Sequence, residues 1–181
     1  AKVLDKLNEL RGSMSLADAI VLAGTAAVER GARDAGFDVE VPFTGGRGDA
    51  TQDWTDVESF VWMGPQSVRF RNFLKTRQSV KTEELLLDRA SLLGLSAPEM
   101  TALLGGLRVL GANHKDAPEG VFTDRKGRLT NDFFVNLLDN ETFWDLVDTS
   151  SDEEFIGYDR GGRHQKWSAT RTDLIFGSNS Q

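Results

Sequence analysis

Apolar residues recur at helical spacing along most of this chain. From Ser15 onward, Leu16, Ala19, Ile20, Ala23 and Ala27 fall at the i, i+3, i+4 intervals of one buried helix face. Ser15-Leu16-Ala17-Asp18 opens that run as a capping box, a hydroxyl followed three residues later by an acid, and Gly36 supplies a stop. Ahead of it, residues 1–11 read as a short amphipathic helix. Residues 68–74, with Phe70, Phe73 and Leu74, predict another helix. Thr82 followed by Glu83 and Glu84 starts the next, with acids at the positive end of the helix dipole, and it ends near Gly94. Ser96-Ala97-Pro98-Glu99 is a stronger start: cap, early proline, then Glu at the third helical position. Met100, Leu103, Leu104 and Leu107 follow at helical spacing. Thr130 or Asn131 caps a further helix through Phe133, Phe134, Leu137 and Leu138.

Elsewhere the pattern changes. Residues 39–43 are short and extended, with Pro42 forbidding a central strand, and residues 44–53 are Gly-rich loop. Residues 152–169 carry Phe155, Ile156 and Tyr158, then Gly161-Gly162, then Trp167, which predicts a β-hairpin. The acidic stretch 148–154 reads as a solvated loop. With no internal repeat and no linker, the expectation is one domain over residues 1–181, all-α in class, with a small β-hairpin near its C-terminal end.

Composition narrows the functions open to such a domain. The 181 residues suffice for a single core, and 39% hydrophobic content points to a folded globule rather than disorder. A net charge of -7 argues against a nucleic-acid partner, which needs a basic footprint. The absence of cysteine excludes disulfides, zinc–thiolate sites, iron–sulfur clusters and cysteine nucleophiles, and it fits a reducing compartment. No apolar run approaches the roughly 18 residues of a membrane span, and no signal peptide precedes Ser15. Both ends read as cut from something longer.

The generic motifs have simple structural explanations. Arg47-Gly48-Asp49 spells an adhesion tripeptide, but loop chemistry accounts for it. Gly105-Gly106 lies within a helix, not between strand and helix, so it permits close packing rather than dinucleotide binding. Asp49, Asp53 and Asp56 cluster as loop caps sooner than as a cation site. His114 and His164 are lone histidines. Nothing assembles a nucleophile, a base and an orienting acid.

One longer pattern is specific. Ser15-x-Ala17-Asp18-x-Ile20-x-Leu22-Ala23-Gly24-x-x-Ala27-Val28-Glu29, followed by Val41-Pro42-Phe43-x-x-Gly46-Arg47-x-Asp49, resembles the plant-type haem peroxidase superfamily, closest to its intracellular class. Three later stretches sharpen this: Ala97 through Asn113, Gly120 through Leu138, and Trp167-x-Ala169-x-Arg171-x-Asp173-Leu174-x-Phe176-Gly177-Ser178-Asn179-Ser180. Together they resemble the C-terminal half of catalase-peroxidases, a duplicated peroxidase domain. The resemblance implies an all-α peroxidase fold.

The departures from that family carry the functional expectation. In active members a histidine after the helical Gly-Gly region ligates the haem iron, and an aspartate accepts its other N–H. Matching on Gly105-Gly106 puts Leu107 at the ligand position. Matching on Gly111 puts Arg108 there, uses more of the segment, and places His114 on a histidine the family does not use as ligand. Neither Leu nor Arg offers a lone pair to iron. The aspartate partner aligns with Thr130 before Asn131, so both halves of the couple are expected to be missing. The distal Arg-x-x-Trp-His motif, which moves the peroxide proton, does not occur.

The resemblance therefore implies a non-catalytic C-terminal domain with no catalytic, cofactor-binding or metal-ligating residue. Its parent would be a cytoplasmic, homodimeric catalase-peroxidase with haem b in the N-terminal domain, and that domain would be its partner. The rivals are a free-standing haem peroxidase ligating through His114 or His164, and a helical interaction module. Loss of neighbouring helices would leave helix 100–111 with an uncovered apolar row around Leu110.

Overall fold

The computed structural model describes residues 2–65, 67–74, 80–147, 153–162 and 164–178. They form two compact units, Ala1–Gly64 and Pro65–Gln181.

The first unit contains α1 (Lys2–Leu10), α2 (Leu16–Asp34), a 3-10 turn (Gln52–Trp54) and α3 (Val57–Met63). Helix α2 begins where its pattern puts it. Ser15 Oγ accepts from the Asp18 amide at 3.0 Å, and beyond Asp34 the chain turns through Gly36 at φ 94°. A helix start leaves amides without partners. Here Asp49, far along the chain, accepts from the amides of Leu16 and Ala17 at 2.8 and 2.9 Å. Asp18 accepts from the amides of Gly46 and Arg47 at 2.7 and 3.2 Å and from Arg47 Nη1 at 2.9 Å. Glu29 accepts from the Val41 amide at 2.9 Å. Three carboxylates thus strap the loop onto α2. Both charged residues of the Arg-Gly-Asp tripeptide are used in this way.

The second unit holds the apolar core. Strands β1 (Ser67–Val68) and β2 (Phe73–Leu74) pair antiparallel across a 3-10 turn (Arg69–Arg71). Helices α4 (Thr82–Leu92), α5 (Ala97–Leu110) and α6 (Asp132–Leu137) follow, with a second 3-10 turn (His114–Asp116) between the last two. Strands β3 (Thr142–Leu146), β4 (Glu154–Asp159) and β5 (Gln165–Thr170) form an antiparallel meander in the order β3-β4-β5, and α7 (Arg171–Ser178) comes next. Leu86, Leu104, Val109, Phe122 and Phe133 expose no surface. The rings of Phe122 and Phe133 stack at 5.1 Å, and Trp144 lies 5.2 Å from Phe122. Helix α5 reaches this cluster because a Cβ on Gly105 would come within 2.8 Å of the Phe134 ring. Its start is held by Ser96, whose amide and hydroxyl both donate to the Glu99 carboxylate at 2.8 and 2.6 Å.

An all-α class does not hold. Among the described residues, five strands in two sheets stand beside seven helices. Residues 68–74 satisfy a helical period with Phe70, Phe73 and Leu74, yet Asn72 sits in the left-handed region at φ 55° and reverses the chain into a β pair. Strand β3 alternates half-buried and exposed positions, the period of a strand. It adds a third strand to the hairpin that forms across Gly161-Gly162. Of the acidic stretch, residues 148–152 lie outside the described residues. Glu153 is half-buried and pairs with the buried Arg69 at 3.4 Å. Burial pushes its carboxyl up and Arg69 draws it back. Helix 100–111 shows no uncovered row either: from Met100 to Leu110 only Ala102 is exposed.

Candidate functional site

Among the described residues, the most heavily bonded buried group of the second unit is Arg108, in the last turn of α5. Its side chain exposes no surface, nor does that of Asp173, the residue facing it. Arg108 Nε donates to Asp173 Oδ1 at 2.7 Å. Nη1 donates to the Phe70 carbonyl at 2.6 Å and to Asn113 Oδ1 at 2.8 Å. Nη2 donates to Asn72 Oδ1 at 2.9 Å and to the Arg69 carbonyl at 3.3 Å. A guanidinium has five N–H groups, so every one has an acceptor.

Each acceptor is placed by a separate piece of the fold. The turn between β1 and β2 turns its carbonyls inward and, through left-handed Asn72, its side-chain amide as well. Asn113 is held in turn, its Nδ2 donating to the carbonyls of Ala117 and Glu119 at 2.8 and 2.9 Å. Asp173 comes from the first turn of α7, where Oδ2 accepts from the Thr170 amide at 2.9 Å and the Thr170 hydroxyl at 2.8 Å. Gly120, at φ 81°, passes so close that a Cβ there would lie 2.5 Å from Arg108 Nε and 2.6 Å from Asp173 Oδ1.

Chemically the centre is a lock. Guanidinium is protonated at any working pH and has no lone pair, so it neither ligates a metal nor takes a proton. The carboxylate is consumed by one ion pair and two hydrogen bonds. A buried pair of this kind is costly to break, because either partner left alone is an uncompensated charge.

The structure disperses the other candidate residues. Leu107, the other candidate ligand position, is half-buried and packs against the core cluster. Thr130 takes no part in the Arg108 centre among the bonds described; its hydroxyl accepts from the Asp132 amide at 3.4 Å. The carboxylate that faces Arg108 is Asp173. The sequence signal for it was Thr170-x-x-Asp173, a cap pattern at the start of α7. His114 sits edge-on to Phe73, ring centroids 4.7 Å apart, beside a cavity of about 240 Å³ that also meets Pro65, Val68 and Arg71. His164 is exposed and pairs with Asp159 at 3.0 Å. Asp49 caps α2 and Asp56 caps α3, while Asp53 lies in the 3-10 turn. Among the described residues no cluster of His, Cys, Asp and Glu could hold a metal ion, and no helix is long and apolar enough to cross a membrane.

An arginine with all five N–H groups bonded, paired with a buried carboxylate, is a structural centre and not a ligand set. The family model for peroxidases matches residues 1–181, and the chain belongs to the peroxidase family. Its resemblance to catalase-peroxidases is borne out. It is 64% identical to the catalase-peroxidase of Erythrobacter litoralis over 99% of its own length and 25% of the relative's. It is 61% identical to that of Sphingopyxis alaskensis, over 100% of this chain and 25% of the relative, and 60% identical to that of Geobacillus stearothermophilus, over 99% and 25%. The chain therefore spans about a quarter of the length of the curated relatives it matches.

Proposed function

We propose that the chain is part of the C-terminal, haem-free domain of a catalase-peroxidase, and that it supports the haem-bearing N-terminal domain without taking part in chemistry. The parent decomposes hydrogen peroxide and oxidises small donors, works as a homodimer in the cytoplasm, and carries haem b in its N-terminal domain. The observation that carries this reading is the Arg108 centre. Where a haem-binding member needs an imidazole, this chain has a guanidinium with all five N–H groups already bonded. These residues do not fit haem, because a guanidinium has no lone pair to give iron.

The supporting role is tested by supplying the haem-bearing remainder of the protein with and without this chain. With the chain present, haem retention and peroxide turnover are expected to be higher. Equal haem content and equal rates in both preparations would remove the supporting role.

A further inference from the structure

We propose that the exposed strip 54–63 is a docking face for the rest of the polypeptide, which meets it with apolar side chains flanked by lysine or arginine. This rests on reading the chain as part of a longer catalase-peroxidase.

Helix α3 has seven residues and buries none of them. An isolated helix shorter than roughly 12–15 residues is marginal in water, because nucleation is not repaid over so few bonds. Packing of apolar side chains normally makes up the difference. Here Trp54, Val57, Phe60, Val61, Trp62 and Met63 are exposed, from 56% at Val57 to 86% at Trp62. Contiguous apolar surface of this kind marks an interaction site.

The rim of the strip says what covers it. Between Gly48 and Val68 the sequence has four carboxylates, Asp49, Asp53, Asp56 and Glu58, and no lysine or arginine. Asp53, Asp56 and Glu58 are exposed. Asp56 is held ionised by the hydroxyl and amide of Ser59, which donate to it at the start of α3. A second copy docking on the same face would set this acidic rim against itself, because an isologous contact pairs like with like. A complementary occupant brings apolar side chains and positive charge. About three-quarters of each relative lies outside the matched stretch, which is ample chain to provide it.

Hydroxyl-radical footprinting read by mass spectrometry, together with carbodiimide cross-linking, tests the proposal. The 181-residue chain at several concentrations is compared with the full polypeptide that carries it. Trp54, Trp62 and Met63 are expected to react readily in the chain alone at every concentration and to show a several-fold loss of modification in the full polypeptide. Asp53, Asp56 and Glu58 are expected to cross-link to lysines outside residues 1–181. Equal modification in both samples would overturn the proposal. So would protection that grows with the concentration of the chain alone, which names a second copy, or cross-links confined to lysines within the 181 residues. Haem content of the same full polypeptide separates the two readings: a reactive strip in a haem-loaded protein defeats the docking face and leaves the supporting role standing.

Discussion

Among the described residues, the buried apolar side chains of the unit Ala1–Gly64 are Ala19 and Ala32, whereas Pro65–Gln181 buries Phe70, Leu86, Met100, Leu104, Val109, Phe122, Phe133 and Leu137. The first unit is tied by carboxylates to backbone amides: Asp18 to Gly46 and Arg47, Glu29 to Val41, Asp49 to Leu16 and Ala17. The second is packed, and its fully buried guanidinium, Arg108, is neutralised by Asp173 and fully bonded. Hydrogen bonds from a loop's amides to carboxylates fix its path but bury little apolar surface, and such burial is the dominant favourable contribution to folding. The two units should therefore respond differently to mutation and to acid.

The largest effect is expected at the buried pair. Asp173→Ala leaves Arg108 charged and unpartnered in the interior, and should cost about 3–5 kcal/mol in a urea unfolding curve of the second unit. A loss under about 1 kcal/mol, the scale of an exposed ion pair, would mean that water reaches the guanidinium. Next comes Gly105→Ala, whose methyl collides with the Phe134 ring and should cost about 1–3 kcal/mol by overpacking. A neutral or stabilising result would show that α5 and α6 can separate freely.

Acid should separate the units. The carboxyls of Asp18 and Asp49 are held below the ordinary value of 3.8, Asp18 first by the Gly46 amide and then by Arg47, Asp49 by the amides of Leu16 and Ala17. A depressed carboxyl stabilises the fold fully above its unfolded value, and that contribution is lost as pH falls through the lower folded value. Below pH 3.8 the amides of Leu16, Ala17 and Gly46 should lose hydrogen-exchange protection while those around Leu104 keep it. Simultaneous loss in both units would contradict the comparison. The smallest change is Ser96→Ala, which removes the hydroxyl bonded to Glu99 and should cost about 1 kcal/mol. An unchanged melting temperature would show that the start of α5 is set by Pro98 and packing alone.

What could be read from the sequence was local. Ser15 with Asp18, Ser96 with Glu99, and the stops at Gly36 and Gly94 are signals contained within a few residues, and the helices begin and end where they indicate. Gly161-Gly162 marked the turn between β4 and β5 for the same reason. Residues 68–74 were misread because Phe70, Phe73 and Leu74 satisfy a helical period over a segment too short to distinguish the two periods, and strand pairing with Ser67 decided it. Strand β3 exists through its register with β4, Trp144 opposite Gly157, which no window of five residues displays. The sequence does not mark Asp173 as the partner of Arg108, because 65 positions separate them and the Thr170 cap that places it reads as an ordinary helix start.

The central proposal is that this chain, whose interior holds Arg108 and Asp173 bonded to each other, binds no haem. A hemin titration of the chain, followed at the Soret band, tests it most directly. The expected result is a featureless, non-saturating rise of the kind free hemin gives with any apolar surface. A saturable, equimolar transition to a histidine-ligated spectrum would contradict it, because iron would then be held through His114 or His164 with the Arg108 lock bypassed.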